Sequence, residues 1–435
     1  MTKVVIIGAG SGFGGRISLD ILTRMGLKGV EIVLCDIDEK KVETVHKYVQ
    51  TIIDTHQMNK TAKVWSTVNR EQALPNADFV MISVAIGGPA YYGEPFDSEF
   101  TIPLKYGIIQ TVADTAVPGA IFRALRTAPE MIRMVNDINR LAPKSMILNL
   151  TNPMSVLTWT LSKYTKVPIV GLCHGVTGNF KRLADILKIP QDEVSFICAG
   201  INHMTWFIDF RHNGVSVMEE LRKAVRQNTS EKATGQNYFY RTQVMDITGY
   251  FTTESDRHIP EYLTWFQTGD NSSLKEYAKI TRGIKDRRHA WYEDMGVTIE
   301  SRNTVELGLS HESASGIIEA VSFSGSFEFS GNVLNRGYIE NLPFGCCVEV
   351  PCTADANGVH PHTVGALPTM CAALCQTNIN EHTLMAEAIT EKNREKAFQA
   401  LLMDPMASTK LTLQTARQLF EEMWNREIEL GIELI

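Results

Sequence analysis

The sequence predicts an α/β protein: a doubly wound parallel sheet followed by a C-terminal α+β domain. Three observations carry that expectation. Short apolar runs alternate with helical patterns through the first two hundred residues, a glycine cluster follows the first run, and the alternation fades from about Met204. Strands separated by helices of about ten or more residues cannot close as hairpins, so they read as parallel, with helices on both faces.

Val4–Ile7 is the first buried strand. Ile17, Ile21 and Met25 then repeat at helical spacing, with Leu22 beside them. EIVLCD (Glu31–Asp36) and DFVMISVA (Asp78–Ala85) are the next strands, separated by the helical KKVETVHKYVQTII region. SMILNL (Ser145–Leu150), PIVGLC (Pro168–Cys173) and VSFICAG (Val194–Gly200) complete a set of six. Beyond Met204 come charged helical segments such as SLKEYAKITRGIKDRRHAWYEDM, then a β-rich piece, FEFSGNVLNRGYIENLPFGCCVEVPC, and a helical tail from about Thr369. No repeat or Pro-rich linker intervenes, so two closely packed domains are expected, residues 1–200 and 201–435.

Composition narrows the class. The 435 residues are 44% hydrophobic, 21% charged and 8% aromatic, as in ordinary globular proteins. A formal net charge of −7 argues against a nucleic-acid binder, which needs surplus Lys and Arg against phosphates. The N-terminus lacks a signal peptide's pattern, and no apolar stretch approaches the roughly 18–20 residues that span a bilayer. No membrane partner is expected. The eight cysteines form neither a secreted-type framework nor a CxxC pair, so reduced thiols in the cytoplasm are expected.

GAGSGFGG (Gly8–Gly15) follows the first strand and opens a helix, the context of a Rossmann-like dinucleotide site. Glycines there let the backbone approach a pyrophosphate at the helix N-terminus. Gly8, Gly10, Ser11, Gly12 and Phe13 are the expected cofactor contacts, although Phe13 stands where the last glycine of GxGxxG belongs. Asp36, ending the second strand, is placed to bond the ribose of NAD; the nearby Asp38 leaves the choice of carboxylate open.

Ligands of an open parallel sheet bind beyond the carboxyl ends of its strands. Those ends read AIGGPAYYGE, NLTNPMS, GLCHGV and AGINHMTW, presenting Gly87, Gly88, Asn149, Asn152, Cys173, His174, Asn202 and His203. Singly, Cys173 reads as a buried small hydrophobe and His203 as a core histidine. Together at one crevice they favour a divalent-metal site with positions left for substrate oxygens. A Cys–His nucleophile pair is the weaker alternative, because adjacent side chains on extended backbone point to opposite sides.

These residues resemble glycoside hydrolase family 4, nearly end to end. The likeness includes GAGSGF, ADTAVPGAIFRALRTAP (Ala113–Pro129), NLTNPM, GLCHGV, AGINHMTW, GYFTTESDRHIPEY (Gly249–Tyr262) and NLPFGCCVEVPCTADANGVHP (Asn341–Pro361). The last blocks look most similar to the family's melibiase-type α-galactosidases. The resemblance implies NAD and Mn²⁺ as cofactors and an unphosphorylated α-glycoside as substrate. It implies transient oxidation at carbon 3, elimination of the glycosidic oxygen and re-addition of water.

Carried over residue by residue, the resemblance makes Cys173 and His203 the metal ligands and His174 the general acid. Asp256, in ESDRH, becomes the base at carbon 2, with His258 and Tyr262 in reserve. Asn152, Asp114, Asn202 and Arg123 are the expected substrate contacts, although Arg123 and Arg126 could equally pair with nearby carboxylates. CHGV and DRH also suit uronidase and α-glucosidase branches, in which Arg257 would meet a uronic carboxylate. An α-glucuronidase or α-galacturonidase, an α-glucosidase and, from another class, a 2-hydroxyacid dehydrogenase remain the alternatives. Family members are usually homodimers or homotetramers.

Overall fold

The computed structural model describes residues 1–87, 93–229, 238–253, 255–269, 271–272, 274–276, 278, 287–301 and 305–435. Gly88 and residues 279–286 of the charged helical segment lie outside them.

Six strands form a parallel sheet: β1 (Thr2–Ile7), β2 (Val30–Cys35), β3 (Ala62–Thr67), β4 (Phe79–Ile82), β5 (Met146–Asn149) and β6 (Ile169–Leu172). Their order, β3-β2-β1-β4-β5-β6, reverses direction at β1, where β1 pairs with both β2 and β4. That order creates the crevice in which dinucleotides lie. Val4, Val5, Ile6 and Ile7 are buried, as a strand covered on both faces requires. β3 was not expected: AKVWST sits at the sheet edge, and its Lys63 and Ser66 break the apolar run.

The helices between the strands are α1 (Gly12–Met25), α2 (Glu39–Thr55), α3 (Arg70–Ala73), α4 (Phe96–Lys105), α5 (Val117–Leu141), α6 (Met154–Ser162) and α7 (Gly175–Leu187). Ile17, Ile21, Leu22 and Met25 form the buried stripe of α1 that their spacing predicts.

The sixth predicted strand needs correcting. Val194–Ile201 (β7) is a strand, but an antiparallel one that pairs with β8 (Met204–His212) and does not adjoin β6. Between them lie β11 (Phe327–Leu334) and β12 (Cys347–Asp355) from the second half: β11 pairs with β6, and β12 touches β7 at Glu349↔Gly200. With β9 (Val215–Ser216), β10 (Phe251–Thr252) and β13 (Gly358–Pro361), the described residues form one 13-stranded sheet. The sheet therefore runs on past residue 200 into the second half. Helices Thr369–Glu391, Arg394–Met403 and Leu413–Glu429 complete the core over α5, where Phe420 packs 5.5 Å from Phe122.

Among the described residues, no helix is long and apolar enough to cross a membrane. All eight cysteines are free thiols, and all but Cys173 are buried.

Candidate active site

The glycine loop has the geometry that a dinucleotide demands. Gly8 lies at φ +86°, and a Cβ there would stand 2.0 Å from the backbone oxygen of Ser83. Gly14 provides the close strand–helix approach one position later than the usual spacing: its Cβ would lie 2.2 Å from the Ala9 carbonyl. Phe13 can therefore occupy the formal glycine position while packing at the edge of the core. Gly10 N–H donates to Asp36 Oδ2 at 2.7 Å, holding that carboxylate at the loop. Asp38 instead caps α2, accepting from Lys41 N–H at 3.1 Å. Of the two acids, Asp36 is the one facing the glycines. Gly8→Ala should cost roughly 2–4 kcal/mol or abolish NAD binding, since neither the positive φ nor the Ser83 backbone can yield cheaply. Thermal melts with and without NAD would show it; an unshifted melt with normal affinity would refute it.

At the same edge of the sheet, residues 109–117 are held by the second half of the chain. Glu261 Oε1 accepts from the N–H groups of Thr111, Val112 and Ala113 at 2.6, 2.8 and 3.0 Å. Gln267 brackets Ile109, accepting from its N–H and donating to its carbonyl, and Asp404 Oδ2 accepts from Val117 N–H. Burial pushes the Glu261 carboxyl up to about 7, against the opposing pull of His258. These anchors hold Ala113 and Val117 at positive φ and present Asp114 between them.

Asp114 Oδ1 lies 3.2 Å from His258 Nε2 and 3.7 Å from His203 Nδ1. His203 sits at φ +63° in the turn from β7 to β8, and its ring centroid is 4.3 Å from that of His258. Ligand atoms of Asp114, His203 and His258 all lie within 4.8 Å of one another. Burial alone would raise the Asp114 carboxyl, but His258, His203 and Arg123 together hold it well below the usual carboxylate range. Thr115 Oγ1 donates to Asp114 Oδ1 at 2.9 Å and lies 2.8 Å from His203 Nδ1. The hydroxyl has one proton, so given to the carboxylate it makes Nδ1–H the donor to Thr115 and leaves Nε2 as the basic nitrogen. A carboxylate and two imidazoles are a donor set that divalent first-row cations accept, harder than the thiolate–imidazole pair expected from the sequence.

The other predicted residues fall in different places. Cys173 ends β6 half-exposed, with Gly175 N–H at 3.4 Å from its sulfur, but it is not among the three groups that converge. His174 precedes α7 at the surface, with Nδ1 3.2 Å from Glu312 Oε1. Asn152 donates to Asp114 Oδ2 at 3.1 Å, and it shares a small void with Arg123, Phe96 and Ile86. Arg123 is 3% exposed and pairs with Glu99, the structural one of its two expected roles. Asn202 is fully buried and donates to Glu349, beneath the crevice rather than in it. Asn149, also fully buried, bonds Thr151 and Thr158.

Asp256, the expected base, is 0% exposed. It accepts from the N–H groups of Phe239 and Arg241 and pairs with the Arg241 guanidinium at 3.4 Å. That is a carboxylate closing a helix N-terminus, with no open face for a substrate proton. A wide cleft at the opposite edge of the sheet, beside Lys28, Asp78, Lys144 and Phe323, has no histidine or cysteine among the described residues of its lining.

Comparison with known proteins fixes the family. The family model described as "Family 4 glycosyl hydrolase" matches residues 3–189, and that of the family's C-terminal domain matches residues 198–407. The chain belongs to glycosyl hydrolase family 4. It is 34% identical to an α-galactosidase of Bacillus subtilis (strain 168), over 98% of each chain. An α-galacturonidase of Thermoanaerobacter italicus is 27% identical, over 98% of this chain and 96% of its own. The 6-phospho-β-glucosidase of Thermotoga maritima, solved with manganese, NAD⁺ and glucose-6-phosphate, superposes with a TM-score of 0.83 at 21% identity, covering all of both chains. This family 4 enzyme is therefore a glycoside hydrolase on a Rossmann-like sheet with a C-terminal domain.

Three site features of the family 4 enzyme escaped the sequence reading. Glu261 was passed over, although HIPE puts it one helical turn after His258. His258 was read as a reserve base, not as a partner of His203. Glu312 was not read at all, because nothing local in HESAS signals what it meets.

Proposed function

We propose that this chain is an NAD- and divalent-cation-dependent α-galactosidase acting on unphosphorylated α-galactosides. One observation carries the reading: Asp114, His203 and His258 converge at the carboxyl edge of the sheet that also presents the glycine loop and Asp36. The end-to-end likeness to an α-galactosidase supports the choice of sugar.

Asp114, His203 and His258 would hold the cation, with Cys173, directly after β6, as a further candidate ligand. When bound, NAD supplies reversible oxidation at carbon 3 and the cation stabilises the negative charge that oxidation allows to develop. The chain's residues do the rest. Asn152 orients sugar hydroxyls, and His174 at the mouth donates a proton to the leaving oxygen. Of the candidate bases at carbon 2, Asp256 is sealed and His258 lies in the cation cluster. Tyr262 is the remaining candidate; it too is buried, and its hydroxyl donates to the carbonyl of Asn202, the residue before His203, so it would have to give up that proton before acting as base. A homodimer or homotetramer is proposed, with Phe344, 81% exposed beside the buried Cys346, as one point of contact. The free thiols support a reducing, cytoplasmic setting.

A uronidase is the second reading, and Arg257 favours it. The residue is half-buried next to His258, and among the described residues no ion pair engages its guanidinium, while its backbone carbonyl accepts from Thr111. A guanidinium so placed suits a carboxylate bidentately. Nitrophenyl α-galactoside, α-glucoside, α-glucuronide and α-galacturonide, each with NAD⁺, Mn²⁺ and thiol, separate the readings. Release from the galactoside without NADH build-up is expected. Release from a uronide alone would replace the assignment, and stoichiometric NADH would point to a dehydrogenase.

A further inference from the structure

We infer that Glu312 is a positioning residue for His174, an inference that rests on His174 being the general acid. His174 follows β6 at the surface, with 65% of its side chain exposed. Glu312 is different: its side chain is only 9% exposed, and its Oε1 lies 3.2 Å from His174 Nδ1.

The Glu312 backbone belongs to a strap, residues 305–312, that crosses the N-terminal half and is fixed there by hydrogen bonds. His56 Nε2 lies 2.7 Å from the Val305 carbonyl, and Thr23 Oγ1 donates to the Gly308 carbonyl at 3.3 Å. Asp20 accepts from both Ser310 N–H (2.8 Å) and Ser310 Oγ (2.5 Å). Glu312 N–H donates to Ser310 Oγ at 3.1 Å, and Lys181 on α7 lies 3.1 Å from His311 Nδ1. Helix Ala314–Phe323 begins directly after the strap, and its first five residues are buried. The strap thus ties α1, α2 and α7 together and sets the largely buried Glu312 carboxylate against the exposed imidazole.

A carboxylate on Nδ1 fixes the ring and makes Nε2 the nitrogen that exchanges protons with the substrate. In bond cleavage the Nε2–H bond breaks as an O–H bond forms on the glycosidic oxygen. The carbon–oxygen pair goes to that oxygen, and the alcohol departs. His174 keeps its Nδ1–H on Glu312, which stays ionised throughout; the incoming water returns a proton to Nε2 when it adds.

Leaving groups that need protonation test this. With holoenzyme carrying NAD and Mn²⁺, kcat is measured on dinitrophenyl and methyl α-glycosides of the sugar that the parent cleaves. Glu312→Ala is expected to lower the methyl-to-dinitrophenyl ratio by about 10–100-fold, as loss of an oriented acid should. Glu312→Gln should restore part of it, because an amide oxygen still accepts Nδ1–H. A ratio unchanged from the parent in Glu312→Ala, with or without a uniform loss, overturns the inference; the glutamine variant gives the same reading if the alanine one does not fold. His174→Asn distinguishes the two failures. If it changes the ratio while Glu312→Ala does not, the positioning role alone is wrong. If it leaves the ratio flat, His174 is not the acid.

Discussion

Replacing Asp114 with asparagine is expected to weaken Mn²⁺ binding by on the order of 100-fold or more and to remove turnover with it, since even partners that only support metal ligands are worth 10–100-fold. The carboxylate contributes the negative charge of the cluster, and it is held ionised by two histidines and Arg123. The amide keeps the shape and the hydrogen bond from Thr115 while losing the charge and the bond from Asn152, so NAD affinity and folding should be largely preserved. His258→Ala should act in the same direction. Titrating manganese by paramagnetic resonance, beside NAD by fluorescence, checks both variants. Cys173→Ser supplies the contrast. If the ion were gripped by Cys173 and His203 alone, serine would release it, whereas Asp114→Asn and His258→Ala would leave manganese affinity at the parental value; that outcome would end the three-residue assignment.

Much of this site was legible because its parts are local. The strand–glycine–helix order of β1 and α1, and Asp36 at the end of β2, follow from adjacent residues. The strand ends can be read in turn, which singles out Asn152 and His203, and the structure sets both against Asp114. What failed was whatever depended on distant segments. β7 was taken for a parallel strand because its true neighbours, β8 and β12, include one from far along the chain. Asp256 carried a family role in the sequence, but burial against Arg241 is a property of packing that one sequence does not display. Likewise Glu261 reads as an ordinary helix glutamate until its three backbone donors are seen. Which groups from the second half meet the strand ends is set by the fold, as Glu261 and His258 meeting residues 111–114 show.

Glu99→Ala should destabilise the protein by about 3–5 kcal/mol, because it leaves buried guanidiniums without their counter-charge. Glu99 is 1% exposed, with Oε2 2.5 Å from Arg123 and Oε1 2.5 Å from Arg126. Both guanidiniums lie over the Phe96 ring, at 5.0 and 4.8 Å, and Arg126 is closed off from solvent. Arg126 reaches Glu427 at 3.0 Å and donates through Nε to the Ile86 carbonyl at 2.8 Å, which ties the network to the loop after β4. Burial pushes the Glu427 carboxyl up to about 7 despite Arg126 beside it, and the charge of Glu99 adds to the rise. A carboxyl raised this way favours the folded state when protonated; its contribution is full below about 4.5 and is lost as pH rises through about 7. Glu427→Gln, neutral at every pH, should therefore flatten that part of the stability profile, while Glu99→Ala lowers the whole of it. Urea midpoints measured across this pH range decide both points: a Glu99→Ala shift below about 1 kcal/mol would mean that water reaches the arginines and that the network is not sealed.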